Sequence, residues 1–575
     1  MKHLLKELRY YKKEVILAPL FKMIEALLDL FVPLVMKRIM DIGIPNHDIR
    51  YIVWMCVTMV GIAIVSLLCA VVAQYFAAKA ATGFSARLRT LLFKRIQELR
   101  FSELDAAGAS TLITRMTSDA DQVQNGVNLT LRLFLRSPFI VFGAMIMAFI
   151  VDVKAAIIFV VMIPVLMIVV FGIMLVTMPM HKKVQGALDH VTGRTRENLK
   201  GVRVIRAFRL EKGEIRRFIE DTDNLKKFQE FVGFISGILH PATFILIHIA
   251  TCVILYVGAV RVDAGALTVG AVVALVNYSA QILTELVKFA NLVIQMTRAG
   301  ASLSRIDEVL KRKPRDRKSF KDEELNLPGS AAVEFKNVSL RYESSKENTL
   351  TDINFTINPG ESVGIIGGTG SGKTSLVSLI PGYYKATAGA VLVNGMDVTD
   401  MDPVELKNTC VTVMQKPVIF SGTVRENLVF GLSEAAEKEV TDDVLEYVLK
   451  VADAYDFVMA KEGGLDALCE QDGRNFSGGQ KQRLGIARAL LLNPEILILD
   501  DSASALDFAT DARIRSNMKA MRADLTTITV SQRATGVMGM DRIFVMDNGR
   551  LVAVGTHEQL MESCDVYKEI VNLQM

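Results

Sequence analysis

At 575 residues the chain is long enough for several domains, and 51% hydrophobic content with positive mean hydropathy is too apolar for an ordinary soluble protein. A net charge of +4 over that length gives no case for a nucleic-acid partner. The six cysteines (Cys56, Cys69, Cys252, Cys410, Cys469, Cys564) form no CxxC and no metal-ligand spacing, and are expected to be buried free thiols.

The chain opens on Met1–Glu14, where Leu4, Leu5, Leu8 and Tyr11 share one helical face among Lys and Arg. With no clear apolar run or small-residue cleavage site, this stretch predicts an amphipathic helix on a membrane surface rather than a signal peptide. Six apolar segments follow, each long enough to cross a hydrocarbon core of about 30 Å. They run near Val15–Met40, Ile52–Ala78, Leu131–Ile150, Ala155–Met180, Val232–Val260 and Leu267–Met296. Short connectors (Asp41–Tyr51, Val151–Lys154, Arg261–Ala266) alternate with two long ones, Lys79–Thr130 and His181–Phe231. The long ones are helical in composition and rich in Lys and Arg, which places them and both termini in the cytoplasm. They read as helical continuations of the spans that turn round near Ser102–Gly108 and Val204–Lys212.

Inside the first span, Glu25 and Asp29 lie four residues apart on one helical face, with Lys22 one turn before Glu25; Glu285 and Lys288 are one turn apart in the sixth. Carboxylates inside a membrane face a cavity or a partner. Both readings stay open here: a substrate path lined by Glu25 and Asp29, or structural pairing of Glu25 with Lys22. Met145, Met147, Met162, Met167 and Met174 offer adaptable apolar surface, and lipid contact accounts for them equally well.

The charged stretch 311–330 reads as a linker. From Ala331 strands alternate with helices to the end of the sequence, an α/β domain. There Gly367-Gly-Thr369-Gly370-Ser371-Gly372-Lys373-Thr374 follows the apolar strand Ser362–Ile366 and opens a helix at Ser375. This is the phosphate-cradling pattern: glycines let backbone N–H groups approach phosphate, Lys373 reaches the β/γ-phosphates, and Thr374 faces Mg2+. Ile496–Asp500 is a buried-strand pattern ending in the carboxylate that would hold Mg2+. Between them stands Asn475-Phe-Ser477-Gly478-Gly479-Gln480.

With these motifs in this order, and six spans before them, the sequence resembles the ATP-binding cassette (ABC) exporters over almost its whole length. Phe476 departs mildly from the family's LSGGQ signature. The resemblance implies a six-helix membrane domain with long cytoplasmic helical extensions (1–310), the linker, and an α/β P-loop ATPase domain (331–575). It implies ATP and Mg2+ as cofactors, with Tyr342 stacking on adenine, Gln415 near Mg2+, and Ser477–Gln480 acting on ATP held by a second cassette. Glu470–Gly473 loosely resembles the loop that touches the partner's helices.

Two departures carry the sharper inference. The family places a Glu after the magnesium Asp to polarise the attacking water; here Asp501 is shorter by one methylene. A positioned general base is worth roughly 10²–10⁴ in rate. The family's His that contacts the γ-phosphate is Gln532 here, and the later His557 reads as a helix start. Loss at two positions beside a spared signature resembles the degenerate-site subunit of bacterial heterodimeric multidrug exporters. The expected partner is a non-identical half-transporter with Glu, His and an altered signature. The expected setting is the bacterial plasma membrane. The alternatives are a lipid or peptide exporter, an ATP-gated channel or regulatory protein, and a functional homodimer.

Overall fold

The structure is a computed structural model that describes residues 4, 6–312, 330–342 and 345–574. The chain divides into two units, 1–97 with 110–312, and 98–109 with 313–575. Residues 313–329, most of the expected linker, lie outside the described residues, as do Met1–His3 and Leu5.

The first unit is all helix: α1 (Lys12–Arg38), α2 (Ile49–Glu98, whose last residue joins the second unit), α4 (Ala120–Leu133), α5 (Arg136–Val151), α6 (Val153–Ala207), α7 (Glu211–Asp263) and α8 (Val269–Lys311); the short α3 (Phe101–Ala107) belongs to the second unit. Among the described residues, α2, the run Ala109–Val151, α6, α7 and α8 are long and apolar enough to cross a membrane. With α1, whose 27 residues carry charges in mid-helix, they are consistent with six spans. α2, α6, α7 and α8 have 50, 55, 53 and 43 residues. At about 1.5 Å per residue each is at least about twice the hydrocarbon thickness, so the helices run on past any membrane as rods. α3 and Gly108 (φ +72°) occupy the first expected turn, and the break Phe208–Leu210 occupies the second. The rods return alongside themselves: Arg89 bonds the Met116 carbonyl, and Arg194 pairs with Asp221 at 3.0 Å.

The first unit's core lies among α1, α5, α6, α7 and α8, where Leu30, Ile140, Phe159, Ile254, Tyr278 and Ile282 are buried. Small residues permit close helix approach. A Cβ on Gly126 would lie 2.2 Å from that of Ala299. The most apolar stretch of α2 has no buried residue and turns much of its surface outward, where lipid would solvate it.

The N-terminal stretch departs from expectation. Lys6–Tyr11 is a 3-10 helix running straight into α1, and it is tied to α2. Arg87 pairs with Glu7 at 2.9 Å and covers the Tyr10 ring, and Lys79 pairs with Glu14. The departure is in the helix type and in its continuity with α1. The thiols also depart. All six are free, but Cys56 and Cys252 are exposed, because their helices turn apolar faces outward.

The second unit holds the sheets: β1 (Val333–Leu340), β2 (Leu350–Ile357), β3 (Ser362–Gly367), β4 (Ala388–Val393), β5 (Met396–Asp397), β6 (Cys410–Val413), β7 (Gly422–Thr423), β8 (Leu468–Cys469), β9 (Ile496–Asp500), β10 (Thr526–Ser531), β11 (Arg542–Asp547) and β12 (Arg550–Gly555). One sheet has the order β2-β1-β4-β5 and is antiparallel. The larger runs β12-β11-β3-β10-β9-β6 and is parallel except for β12. β9 is an apolar run up to Asp500 because both faces of the sheet are covered there, and all five of its residues are buried. Its helices include α9 (Lys373–Leu379), α10 (Gly478–Leu491), α11 (Phe508–Met521), α12 (His557–Ser563) and α13 (Asp565–Asn572). Glu98–Ala109 packs here: Phe101 lies against Tyr383 (ring centroids 4.5 Å apart), and the Tyr384 hydroxyl donates to Asp105.

Candidate nucleotide site

Four neighbouring parallel strands, β3, β10, β9 and β6, end on one edge of the larger sheet. The loops leaving those ends carry the phosphate pattern (from Gly367), Gln532, Asp500-Asp501 and Gln415 in turn. Strand order, not sequence order, gathers them at the carboxyl edge, the general position for ligands in open α/β sheets.

The backbone of the phosphate loop takes a shape that glycine permits. Gly370 and Gly372 have φ of +83° and +96°, and a Cβ on Gly367 would sit 2.2 Å from the Met546 carbonyl oxygen. The Lys373 ammonium donates to the Gly367 and Gly368 carbonyls at 2.8 and 2.7 Å, and reaches Ser371 Oγ at 3.4 Å. Burial pulls its pKa below the ordinary lysine value, against the opposing pull of Asp501 and Asp500. Thr374 Oγ1 donates to Asp500 Oδ1 at 3.1 Å. Burial pushes the Asp500 carboxyl up, with Thr374 opposing.

A hydroxyl, a side-chain amide and one carboxylate (Thr374, Gln415, Asp500) are hard oxygen donors, and Mg2+ characteristically takes one or two carboxylates plus phosphate oxygens. The residues therefore fit Mg2+ and a polyphosphate.

Asp501 stands at φ +48°, a left-handed backbone, with its N–H bonded to the Val530 carbonyl at 3.0 Å. Its Oδ2 accepts from two amides: Gln415 Nε2 at 2.9 Å and Gln532 Nε2 at 3.2 Å. Thr369 Oγ1 in turn donates to Gln532 Oε1 at 3.4 Å. Asp501, Gln532, Gln415 and Thr369 are thus one connected cluster beside Lys373 and Asp500.

Tyr342 sits beside this loop, half-buried, with its hydroxyl donating to Ser375 Oγ at 2.9 Å and its ring edge-on to Tyr384. Ser477 and Gly478 are exposed and form no bond to the Lys373–Asp501 cluster among the described contacts. Ser477 caps the 14-residue α10 in a capping box, Oγ accepting from the Gln480 N–H and Gln480 Oε1 accepting from the Ser477 N–H. The Gln480 side chain is thereby committed to the cap. Phe476, in the family's Leu position, is buried against Phe457 under Lys461, so the substitution fills core. Glu470–Gly473 makes a tight turn with Asp472 at φ +59°. His557 opens α12, and its Nδ1 faces the Tyr567 hydroxyl at 2.9 Å, a structural position.

In the membrane unit, Glu25 is buried. Lys22 Nζ lies 2.5 Å from its Oε2, and Arg136 lies 3.6 Å from its Oε1. Arg136 also pairs with Asp29 (3.0 Å) and Glu285 (2.6 Å), Lys288 joins Glu285, and Ser66 donates to Asp29. The pairing reading of Glu25 matches this geometry; Asp29 keeps 36% side-chain exposure. Arg136 went unread in the sequence. An arginine inside an apolar stretch was the signal, since a charge at mid-membrane costs about 2.5–3.5 kcal/mol on insertion scales.

The model of the ABC transporter transmembrane region matches residues 15–286, and a second model, described as ABC transporter, matches residues 350–504. A Bacillus subtilis protein named "Uncharacterized ABC transporter ATP-binding protein YfiB" is 32% identical, covering 97% of this chain and 96% of that protein. A second from the same organism, "Putative multidrug export ATP-binding/permease protein YgaD", is 30% identical over 100% of this chain and 99% of its own. A solved structure titled as a bacterial Atm1-family ABC exporter with ATP bound superposes at TM-score 0.79 with 20% identity, covering 98% of each chain, and shows a shared fold. The two family models, and a relative 32% identical along nearly the whole chain, make this chain a member of the ABC transporter family, an ATPase that works as a membrane translocase.

Proposed function

We propose that this chain is the degenerate-site half of a heterodimeric exporter of hydrophobic and amphiphilic small molecules. Its own phosphate loop holds ATP with Mg2+ and hydrolyses it slowly, while Ser477–Gln480 completes the productive site of a non-identical partner. The observation that carries this reading is the double bond donation to Asp501 Oδ2. A general base needs a free lone pair within reach of the attacking water. Here one carboxylate oxygen is occupied by Gln415 and Gln532, and the side chain is one methylene short of the family's Glu.

When bound, Mg2+ supplies charge neutralisation at the phosphates. The chain's own groups supply the rest. Lys373 would reach the phosphate oxygens, Thr374 and Asp500 would hold the metal side, and Tyr342 would stack on the base. Gln415 links Asp501 to the loop that follows β6. With the Ser477 and Gln480 N–H groups used in the cap, the exposed Ser477 hydroxyl proton and the Gly478 and Gly479 N–H groups would face a second nucleotide. The name of YgaD supports a multidrug-type substrate. The Lys- and Arg-rich long connectors and the bacterial relatives support a plasma-membrane protein with its ATPase domain in the cytoplasm.

The test is steady-state ATPase activity of the purified chain alone against the co-expressed pair. The lone chain is expected to turn over at least about 10²-fold more slowly, the low end of a missing general base. Brisk, cooperative turnover by the lone chain would sink the heterodimer reading in favour of a homodimer.

A further inference from the structure

The loop after β10 carries Gln532, and its backbone leaves the sheet where no strand neighbour remains to pair with it. Backbone groups of such a loop must be paired by water or by other parts of the protein. Two of them are met by one distant side chain. Gln574 Nε2 donates to the Gln532 carbonyl at 2.7 Å, and Gln574 Oε1 accepts from the Ala534 N–H at 2.7 Å. A primary amide spanning residues i and i+2 imitates an added strand, fixing both the height and the orientation of the loop.

The rest of the loop is held from other directions. Ser531 Oγ and the Arg533 backbone bond each other, and Arg515 of α11 donates to the Gly536 carbonyl. Gln574 lies two residues past the end of α13, and α13 is docked by the buried Tyr567 and Val571 in a cluster shared with Ala534, Val537, Ile543 and Val545. The core thus fixes the helix, and the helix presents an exposed amide to the loop.

We infer that Gln574 is a positioning residue for the nucleotide site: it holds the loop backbone so that the Gln532 side chain spans Thr369 of the phosphate loop and Asp501. It touches no phosphate itself and acts through Gln532. This rests on the reading that Gln532 faces nucleotide retained at this chain's own site.

The test is stopped-flow release of a fluorescent ATP analogue with Mg2+ from the full-length chain. Loss of two such bonds predicts release about three- to tenfold faster in Gln574→Ala, at an unchanged thermal midpoint. Gln574→Glu keeps length and the acceptor for Ala534 but loses the donor to Gln532, and is expected to accelerate release as well. In a Gln532→Ala background, Gln574→Ala is expected to add nothing, because contacts acting through one group are not additive. Release within about twofold of wild type in both Gln574 variants, or an equal acceleration in the Gln532→Ala background, overturns the inference. Wild-type release as fast as turnover would instead remove the retention reading and leave the variant-to-wild-type ratio to judge Gln574.

Discussion

Gln532 Nε2 lies 3.2 Å from Asp501 Oδ2, a bond between loops that leave two adjacent parallel strands. The two positions where the sequence departs from its family are therefore one interacting unit. Restoring one without the other leaves the remaining donor in place.

Asp501→Glu alone is expected to raise steady-state ATPase of the co-expressed pair by less than about twofold, whereas Asp501→Glu with Gln532→His should exceed it. The left-handed backbone at position 501 adds to this, since φ of +48° suits Asp better than Glu. A clean gain of about twofold or more from Asp501→Glu by itself would mark Asp501 as the sole defect.

The two kinds of site should respond unequally. Ser477→Ala or Gly478→Asp damages the surface offered to the partner's nucleotide and is expected to reduce ATPase of the pair by about 10²-fold or more, the scale of losing a preorganised phosphate contact. Lys373→Ala damages the retentive site and should slow transport less. Vesicle transport and ATPase, measured on variants with verified folding, decide it; equal losses contradict the assignment.

Arg136 joins helices α1, α5 and α8 through Glu25, Asp29 and Glu285. Arg136→Met leaves three carboxylates facing one another with only Lys22 and Lys288 near. Breaking a buried ion pair on one side costs about 3–5 kcal/mol, so membrane yield and thermal midpoint should fall sharply. Adding Glu285→Gln should recover part of the loss.

Glu25 and Asp29 share a helix face but not an environment. Asp29→Asn is expected to weaken vesicle uptake of a cationic dye more than of a matched neutral one, because Asp29 keeps an exposed carboxylate surface. Glu25→Gln, at a buried paired site, should lower both together through stability. If Asp29→Asn also lowers both equally, Asp29 is structural.

Glu361 ties the start of β3 to Arg542 of β11, with Arg542 Nη2 2.7 Å from its Oε2. Burial raises the Glu361 pKa, but the Arg542 bond and the Asn358 backbone outweigh it, so the carboxyl sits below the ordinary value. A depressed acid stabilises the fold above its unfolded pKa, near 4.3, and loses that contribution as pH falls through the lower folded value. Glu361→Gln should therefore cost about 1 kcal/mol at pH 7, with the difference closing below about pH 4. Thermal melts of both proteins across that range give the answer.

Local patterns were legible from the sequence because their chemistry is local. Apolar length announces a span, glycines before Lys373 and Thr374 announce a phosphate loop, and a buried strand ending in Asp500 announces the metal side. The turns at Ser102–Gly108 and Val204–Lys212 were legible for the same reason, as interruptions between two helical stretches. The 3-10 form of Lys6–Tyr11 was not, since contacts with Arg87 and Gly83 of α2 decided it over helical periodicity.

The sequence by itself determined the family, the ATP-binding pattern and the two departures, Asp501 and Gln532. The tertiary structure decided what those residues touch. Gln415, Asp501 and Gln532 meet only because β6, β9 and β10 are neighbours at one sheet edge. Arg136 meets Glu285, and Gln574 meets the Gln532 backbone, across separations of 149 and 42 residues. Spacing along a chain carries no record of such contacts, because helix packing and strand order set them, and both are fixed by how the whole apolar surface is buried.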